Sequence, residues 1–315
     1  MKDKKFTDAL ARIAAPGALL FHEPMCAHTT FRVGGPADCY VEVSSAEKLK
    51  ELISFLASEQ EPFFVLGNGS NLLVSDDGYR GTILSLSKHF ARIEVLPSDP
   101  KEEEQSRVIR AQSGALLGSV AKAAMEAGLT GLEFASGIPG SVGGAIVMNA
   151  GAYGGEMKQV VESVTLFQTK TLIIEEKTCD EMNFSYRDSL VKHEPYIVLE
   201  TRLRLSAGNK EEISAVIEDL RKRRIEKQPL EFPSAGSTFK RPEGYYAGKL
   251  IEDSGLRGYR VGDAQVSEKH CGFVINRGNA TAKDIMTVIR DVSGTVLEKQ
   301  GVELVPEIIM LGDFD

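Results

Sequence analysis

Hydrophobic and polar residues alternate most regularly between residues 196 and 205. Charged side chains occupy every second position at Glu200, Arg202 and Arg204. Successive side chains of a strand point to opposite faces, so this alternation predicts a strand with one buried face in a mixed or antiparallel sheet. The residues predicted to share the buried face are Ile197, Leu199, Thr201, Leu203 and Leu205.

Three other stretches place apolar residues three and four positions apart, which is the spacing of an amphipathic helix. Two of them follow a predicted capping box, at Ser44 with Glu47 and at Thr281 with Asp284. Pro229 follows the middle stretch and prevents that helix from continuing. The apolar stripes run over residues 49–56, 213–220 and 285–292.

Shorter apolar runs indicate further strands, and residues 117–127 indicate a helix that Gly128 ends. The polar stretch 97–106 is predicted to be an exposed loop. The composition changes around residues 206–210, where we place a domain boundary. The chain is therefore predicted to mix α and β structure. The predicted short strands are residues 38–43, 63–67, 82–86, 107–111 and 304–311.

The composition is ordinary for a globular enzyme of two or three domains, with 315 residues, 42% apolar and 26% charged. A net charge of −8 argues against nucleic acid as a general partner. No apolar stretch follows the N-terminal lysines, and no run approaches the roughly 18 apolar residues of a membrane span, so we expect a cytoplasmic protein. The four cysteines form no CxxC pair and no cluster with histidines, which predicts free thiols and no metal site.

Two glycine-rich segments are the strongest candidates for a ligand site. The first, Gly67 to Asn71, follows a predicted strand and forms either a nest of N–H groups for phosphate or an ordinary tight turn. The second, residues 137–155, contains seven glycines and no charged residue. A long neutral loop of small residues fits backbone that approaches a large flat ligand, so the two segments together fit a dinucleotide. Apolar contact with that ligand is expected from Ile138, Val142, Ile146 and Val147.

A basic cluster lies at residues 221–227 of this acidic chain, and Lys240 and Arg241 add further positive charge. Cations at the end of a helix complement the helix dipole, which accounts for some of them. A turn of small residues, 235–237, lies between the two basic groups. Two basic groups that flank a serine turn also fit a pocket for an anionic substrate.

Eight segments, distributed over nearly the whole chain, carry a family resemblance by their sequences and their order. They are HTTFRVGGPA (28–37), LGNGSNLL (66–73), SGIPGSVGGAIVMNAGAYGGEM (136–157), FSYRDS (184–189), PLEFPSAGSTFKRP (229–242), AGKLIEDSGLRG (247–258), HCGFVINRGNATAKD (270–284) and VPEI (305–308). Together they resemble the UDP-N-acetylenolpyruvoylglucosamine reductases, a family also called UDP-N-acetylmuramate dehydrogenases.

The resemblance implies an α+β protein with the FAD-binding fold of the vanillyl-alcohol-oxidase (PCMH) type. It implies one FAD-binding subdomain at residues 1–88 with 304–315, a second at 89–209, and a C-terminal αβ substrate domain at 210–303. The chain resembles the shorter form of the family, which lacks a loop that carries a tyrosine over the diphosphate. Only a short stretch separates the predicted strand at 196–205 from the next helix.

The implied activity is an oxidoreductase reaction of peptidoglycan synthesis, and so of cell-wall biogenesis, cell shape and cell division. NADPH reduces non-covalently bound FAD, and the enolpyruvyl group of UDP-N-acetylglucosamine enolpyruvate is then reduced to give UDP-N-acetylmuramate. Arg187 would stabilise charge on the substrate carboxylate, Ser237 would donate a proton, and Glu307 would polarise the carboxylate. From the residues alone, each also has a structural interpretation: an ion pair with Asp188, a turn serine and a strand-edge surface residue.

The resemblance also implies the binding residues and a UDP-sugar as partner, and we expect a monomer. Its implied FAD-binding residues are Arg32, Gly67, Asn68, Gly69, Ser70, Asn71, Gly137, Ile138, Pro139, Gly140, Ser141, Gly143, Gly144, Asn149, Gly151 and Tyr153. Its implied substrate-binding residues are Arg224, Lys227, Lys240 and Arg241.

Two alternative functions remain open on the sequence. One is another FAD oxidoreductase of the same fold with a different substrate, against which a proton-donating serine argues, because alcohol oxidation needs a base. The other is a non-enzymatic nucleotide-sugar-binding protein, which has no need for a long neutral glycine loop. Bound flavin would separate these two.

Overall fold

The computed structural model describes residues 3–97 and 106–314, so the loop predicted at 97–106 lies almost entirely outside the described residues. The chain divides into two compact units. The first comprises the described parts of Met1–Leu20, Val41–Asn68 and Ile83–Arg224. The second comprises the described parts of Phe21–Tyr40, Gly69–Thr82 and Ile225–Asp315. The three functional domains predicted above stay a prediction.

The described residues form seven helices and seventeen strands. The helices are α1 (Lys4–Ile13), α2 (Ala46–Ser58), α3 (Leu117–Glu126), α4 (Val142–Val147), α5 (Lys210–Lys227), α6 (Ala247–Asp253) and α7 (Ala282–Gln300). The strands are β1 (Leu19–Pro24), β2 (Pro36–Glu42), β3 (Phe63–Leu66), β4 (Leu72–Val74), β5 (Tyr79–Ser85), β6 (Ile93–Val95), β7 (Ser106–Gln112), β8 (Leu129–Thr130), β9 (Gly151–Ala152), β10 (Gly155–Glu156), β11 (Val161–Gln168), β12 (Ile173–Thr178), β13 (Tyr196–Ala207), β14 (Arg260–Val261), β15 (Ala264–Val266), β16 (Val274–Asn276) and β17 (Ile309–Leu311). One sheet has the strand order β1-β2-β5-β3.

The first unit is built on an antiparallel sheet of order β12-β11-β13-β7-β6, in which β8 also pairs with β13. The five residues predicted to face inwards along β13 are buried, none more than 6% exposed. On the opposite face, Glu200, Arg202 and Arg204 form ion pairs with charged residues of β7 and β11. The prediction of a half-buried antiparallel strand is therefore confirmed. Helices α3 and α4 share one apolar core with the buried face of this sheet.

The predicted helices are present, with two differences in detail. The N-terminal cap of α2 is Ser45 rather than Ser44, and its hydroxyl accepts from the backbone N–H of Lys48. In α5, Ile213 is buried whereas Val216 is 47% exposed, so the stripe reaches the core at its first turn only. Apolar spacing predicts that a helix forms, and burial depends on which neighbouring segments cover it.

The second unit contains the sheet β14-β15-β16, which is antiparallel, and the parallel pair β17 and β4. The capping box of α7 is confirmed, because the N–H of Asp284 donates to Thr281 Oγ1 and the N–H of Thr281 donates to Asp284 Oδ2, both at 3.0 Å. The four residues of the predicted stripe in α7 are at most 2% exposed. The strand predicted at 304–311 is shorter than expected, since only Ile309–Leu311 pairs regularly.

Across the part of the chain that the structure describes, the search for a helix long and apolar enough to cross a membrane found none.

The start of α7 is also held by the side chain of Asp76. Its carboxylate oxygens accept from the N–H groups of Ala282 at 2.8 Å and Lys283 at 2.9 Å. These groups have no partner within a helix, and a negative charge there also complements the helix dipole. Asp76 thus ties the turn after β4 to the main helix of the second unit.

We expect Asp76→Ala to lower the free energy of unfolding by about 1–2 kcal/mol, because two N–H groups lose their acceptor. Urea unfolding followed by circular dichroism measures the change. Asp77→Ala is the matched control, since the neighbouring carboxylate makes no hydrogen bond to any described residue. Equal losses in the two variants would contradict the role given to Asp76.

Candidate functional site

A cleft of about 370 Å³ in the first unit is lined by part of the neutral glycine segment. Its walls are residues 136–140, Asn68 after β3, and Leu116, Gly118 and Ser119 at the start of α3. No residue of the lining carries a charge. Its volume lies at the lower end of the range of about 300–1,000 Å³ that is usual for small-molecule sites.

The first glycine loop lies directly on the second beside this cleft. A Cβ atom on Gly67 would overlap the hydroxyl oxygen of Ser141. The amide Nδ2 of Asn68 donates to the carbonyl oxygen of Pro139 at 2.5 Å. Ser141 itself is buried and caps α4, where its hydroxyl accepts from the N–H of Gly144. The structure therefore brings together two loops that lie about 70 residues apart in the sequence.

Arg224 lies against the glycine segment rather than with the other predicted substrate-binding residues. A Cβ atom on Gly137 would lie 2.9 Å from Arg224 Nη1 and 3.2 Å from its Cδ. Burial lowers the pKa of Arg224, and the nearby Tyr153 hydroxyl opposes that shift. No carboxylate in the described residues forms an ion pair with this guanidinium. A partly desolvated cation at the edge of a neutral cleft favours an anionic ligand there.

Residues 142–147 form α4 and are not part of an open loop. The side chains of Val142 and Ile146 are fully buried in the core, so the expected contact of these two with a ligand is wrong. Asn149 is also fully buried, and both ends of its amide are occupied. Its Nδ2 donates to the carbonyl of Ser185 at 3.0 Å, and its Oδ1 accepts from the N–H of Lys158 at 2.9 Å. Asn149 therefore holds the glycine segment in place.

Arg187 lies in a tight turn that Asn149 anchors. Its Nη2 donates to the carbonyl of Gly151 at 3.3 Å, and its guanidinium lies 5.1 Å from the ring centroid of Tyr186. The neighbouring Asp188 pairs with His193 at 2.8 Å, and this hydrogen bond lowers the pKa of Asp188. The structure thus places Arg187 in the first unit, joined to the glycine segment.

In the second unit, Thr238 connects the segments that carry the other two predicted catalytic residues. The carbonyl of Thr238 accepts from the N–H of Glu307 at 2.8 Å, and the carbonyl of Val305 accepts from the N–H of Lys240 at 2.8 Å. Phe239 and Pro306 form an antiparallel bridge between these hydrogen bonds. The chain segments of Ser237 and Glu307 are therefore fixed side by side through their backbones.

The side chains around this bridge differ in exposure. Ser237 is exposed between Ala235 and Thr238, which are buried, so a solvent-accessible hydroxyl stands on a rigid backbone. Glu307 is half-buried. Gly236, just before the serine, has φ +76°, a conformation that costs a residue with a Cβ more than it costs glycine. The predicted small-residue turn is present and leads directly into the bridge.

The end of the first glycine loop contributes to the second unit by supporting Glu307. The Nδ2 of Asn71 donates to the carbonyl of Glu307 at 3.1 Å, and the carbonyl of Asn71 accepts from the N–H of Ile309 at 2.9 Å. Gly69 is buried, and a Cβ atom on it would overlap the carbonyl of His28. The side chain of Asn71 thus positions the segment that carries Glu307.

His270 is a residue that the sequence analysis missed. Its Nδ1 accepts from the N–H of Gly272 at 3.1 Å, and the carbonyl of Gly272 accepts from the N–H of Thr238 at 2.9 Å. Burial lowers the pKa of His270, which favours a neutral ring. Because Nδ1 accepts the hydrogen bond of Gly272, the proton of that neutral ring is on Nε2. Cβ atoms on Gly248 or Gly272 would lie 3.4 Å or 3.0 Å from its Cε1, so two glycines make room for the ring. The available signal was its place at the start of the matching segment 270–284.

The remaining predicted binding residues of the second unit lie at its surface. Arg32 and Arg241 are exposed, as is Lys227 at the end of α5. Lys240 is half-buried at the bridge to Val305. Each of these cations is reachable by an anionic ligand.

Two family models match the chain. One, described as an FAD binding domain, matches residues 37–175, and the other, described as the UDP-N-acetylenolpyruvoylglucosamine reductase C-terminal domain, matches residues 228–311. The C-terminal match contains the bridge between the segments of Ser237 and Glu307.

Curated relatives are similar over almost the full chain. A UDP-N-acetylenolpyruvoylglucosamine reductase of Agathobacter rectalis is 53% identical over 314 residues, which are 99% of this chain and 98% of the relative. A protein of the same name from Caldanaerobacter subterraneus subsp. tengcongensis is 51% identical over 306 residues, 97% of this chain and 98% of the relative.

A solved structure is similar to the whole fold. The crystal structure of UDP-N-acetylenolpyruvylglucosamine reductase from Thermus caldophilus matches with a TM-score of 0.76 and 36% identity, over 93% of this chain and 98% of that chain. With the FAD-binding match, it confirms the predicted α+β fold with an FAD-binding domain. The shorter form is also confirmed, because only Gly208 and Asn209 separate β13 from α5.

We expect Gly67→Ala to destabilise the apoprotein by about 1–3 kcal/mol, because the added methyl group overlaps Ser141 Oγ. Ser141→Ala removes that oxygen and leaves the nearest atom at 3.7 Å, so the double variant should be more stable than the sum of the single changes predicts. Urea unfolding of all four proteins gives this double-mutant cycle. Gly144→Ala is the control, since its Cβ atom would lie 3.6 Å from the same oxygen. Strictly additive losses would contradict the close approach of the two loops.

Proposed function

The chain belongs to the UDP-N-acetylenolpyruvoylglucosamine reductase family, and from that premise we propose that Arg187, Ser237 and Glu307 carry out its reaction. The family reaction is the NADPH-dependent reduction of UDP-N-acetylglucosamine enolpyruvate to UDP-N-acetylmuramate in peptidoglycan precursor synthesis. One observation carries the proposal: the backbone bridge of the second unit holds the segments of Ser237 and Glu307 together. A UDP-N-acetylenolpyruvoylglucosamine reductase is 53% identical over 99% of this chain. That similarity argues against the two alternatives, which were another FAD oxidoreductase and a non-enzymatic nucleotide-sugar-binding protein.

The residues of the first unit fit FAD. Its cleft is neutral, and Gly67 lies where the two loops touch, so that a Cβ atom there would overlap Ser141 Oγ. When bound there, FAD would supply the hydride chemistry that links NADPH to the enolpyruvyl double bond. The chain has to hold the substrate, stabilise the negative charge that develops beside its carboxylate, and provide one proton.

We assign the proton to the hydroxyl of Ser237. A serine hydroxyl is a weak acid, but the carbanion it protonates is a strong base, so transfer is favourable once the two are aligned. The residue that follows the serine, Thr238, is buried and hydrogen-bonded through both its N–H and its carbonyl, so the backbone beside Ser237 is held in place. A fixed backbone supports the proposed alignment of the exposed hydroxyl with the substrate.

Glu307 is the acid that would polarise the substrate carboxylate. Its N–H and its carbonyl are both occupied, by Thr238 and Asn71 respectively, so the backbone on which the side chain stands cannot shift freely. A carboxyl beside a carboxylate has to carry a proton to be favourable there. Its proposed role is to donate a hydrogen bond to the substrate carboxylate, on which negative charge develops.

We assign to Arg187 the role of stabilising charge on the substrate carboxylate. A guanidinium matches the planar geometry of a carboxylate and stays charged throughout the reaction. The hydrogen bond to Gly151 ties its position to the glycine segment. That link makes the placement of Arg187 depend on the loop proposed to hold FAD.

For the cofactor, we propose contacts from Gly67, Asn68 and the segment 137–144, with Asn149 in a positioning role. We also propose Arg32, Ser70, Gly151 and Tyr153 as FAD contacts. The desolvated guanidinium of Arg224 beside Gly137 supports a role with an anion at the cofactor loop rather than with the uridine. In the second unit, Gly69 and Asn71 support the fold around Glu307.

For the substrate, we propose that Lys227, Lys240 and Arg241 interact with the phosphates of the UDP-sugar. All three lie in the second unit, near the segment of Ser237 in the sequence. We further propose that the protein is a cytoplasmic monomer.

The function is tested by anaerobic absorption spectroscopy of the purified protein. Flavin bands that bleach with NADPH and return with the enolpyruvyl UDP-sugar are the expected result. Bleaching without return would keep the cofactor and overturn the substrate. Absence of flavin bands even after FAD is added would overturn the proposal as a whole.

Ser237→Ala should leave bleaching by NADPH intact and slow the return of the flavin bands by about 10²–10⁴-fold, because the proton donor is missing. Stopped-flow absorbance of each half-reaction measures both rates. Ser234→Ala, three residues earlier in the same segment, is the control for general disturbance of the turn. Reoxidation of Ser237→Ala at the normal rate would show that another group donates the proton.

A further inference from the structure

The turn that carries Arg187 also carries an acid, Asp188, which the reaction chemistry described above does not use. The N–H of Ser185 donates to the carbonyl of Asp188 at 3.1 Å, and the N–H of Asp188 donates to the carbonyl of Ser185 at 3.2 Å. These two hydrogen bonds close a tight turn around Tyr186 and Arg187. A carboxylate thus stands on the residue next to the guanidinium that is proposed to meet the substrate carboxylate, and it could pair with that guanidinium in the same way.

The structure shows the carboxylate of Asp188 bound to two other side chains. His193 Nε2 lies 3.0 Å from its Oδ1 and 2.8 Å from its Oδ2, and Lys192 Nζ lies 3.9 Å from Oδ1. Within the described part of the chain, the ion pair of Arg187 with Asp188, which the sequence left open, is not formed. The acid nearest to Arg187 in the sequence is therefore occupied by Lys192 and His193.

Lys192 contacts the backbone of the same turn as well. Its Nζ donates to the carbonyl of Arg187 at 3.2 Å. The side chains of Lys192 and Asp188 are 27% and 32% exposed, so both are partly screened from water, whereas His193 is 65% exposed. One cation thus reaches both the backbone of Arg187 and the acid that follows it, and the histidine binds that acid from the solvent side.

We propose that Lys192 and His193 are positioning residues for the reduction, because they bind the carboxylate of Asp188 and so keep it from competing with the substrate carboxylate for the guanidinium of Arg187. The inference rests on the role proposed for Arg187 and adds two residues to it. A guanidinium pairs with any carboxylate through the same planar hydrogen bonds. An acid on the neighbouring residue would therefore be an effective competitor once its own partners are removed.

A purely structural role, in which the same contacts only hold the turn in shape, makes a different prediction. Binding of the acid by Lys192 and His193 matters for the substrate only as long as Asp188 carries a charge. Asp188→Asn removes that charge and keeps the two backbone hydrogen bonds to Ser185. This substitution should therefore reverse the effect of losing Lys192 and His193 if competition is the cause, and should not reverse it if the shape of the turn is the cause.

The contact with the substrate carboxylate can be measured without turnover. UDP-N-acetylmuramate carries the carboxylate and UDP-N-acetylglucosamine does not, so isothermal titration calorimetry of the FAD-loaded protein with both ligands isolates it. The double variant Lys192→Met with His193→Leu should bind UDP-N-acetylmuramate about three- to tenfold more weakly, a modest loss because ion pairs of partly exposed groups are weak. Its affinity for UDP-N-acetylglucosamine should change by less than about twofold. Adding Asp188→Asn should restore UDP-N-acetylmuramate binding to within about twofold of the unchanged protein.

Lys177→Met is the matched control, because Lys177 also contacts a carboxylate of the first unit, that of Glu175 at 3.3 Å, and its side chain is 23% exposed. Both affinities of this variant should stay within about twofold of those of the unchanged protein. Flavin content and the circular dichroism spectrum check folding. If the double variant does not fold, His193→Leu alone replaces it, with and without Asp188→Asn, since it changes an exposed side chain.

Unchanged UDP-N-acetylmuramate affinity in the double variant would overturn the proposal, as would a loss that Asp188→Asn does not reverse, because the two residues would then only shape the turn. Arg187→Ala separates this failure from a failure of the proposed function. If it abolishes the preference for UDP-N-acetylmuramate, the role of Arg187 stands whatever the double variant does. If the preference survives, the role of Arg187 fails and the inference fails with it. Reoxidation of the unchanged protein by the enolpyruvyl UDP-sugar tests the activity independently of these titrations.

Discussion

The antiparallel contact between residues 238–240 and 305–307 is the constraint on which the proposed chemistry of the second unit depends. It joins two stretches that lie about 65 residues apart. The contact is made by backbone N–H and carbonyl groups, so it does not depend on particular side chains. Thr238 is buried, and its N–H, carbonyl and hydroxyl oxygen are all hydrogen-bonded. Displacing it would leave buried polar groups without partners, at a cost that exceeds the gain from any one contact. The backbone of the neighbouring Ser237 is therefore also held in place.

The first unit depends instead on glycines, which let its segments approach closely. Gly67 lies against the hydroxyl of Ser141, and Gly137 lies against the side chain of Arg224 in α5. A glycine loses more conformational freedom on folding than any other residue, so ordering a loop with several glycines has a large cost in conformational entropy. Buried supports such as Asn149, whose amide has backbone partners on two other segments, offset part of that cost.

Periodicity predicted the elements whose burial follows from their own sequence, such as β13 and α7. It could not predict how far α5 is covered, or that residues 142–147 are helical, because both depend on segments distant in the chain. Glycine content located the loop near the cleft. The roles of Asn71 and His270 escaped prediction. Asn71 binds the backbone carbonyl of Glu307, which is far from it in sequence. His270 binds the N–H of Gly272, and the carbonyl of Gly272 accepts from the N–H of Thr238, more than 30 residues away.

Backbone conformation adds an argument that neither periodicity nor composition contains. Four residues of the proposed sites have left-handed backbones without being glycine: Arg32, Asn149, Tyr153 and Arg187, with φ between 40° and 57°. Glycine would relieve that strain, which costs a residue with a Cβ on the order of 1 kcal/mol. For Asn149 the reason to keep a side chain is visible, because its amide joins two segments. For Arg187 the left-handed backbone costs free energy in the same way, and the contact proposed between its guanidinium and the substrate carboxylate gives a reason to keep this side chain in addition to the hydrogen bond to Gly151.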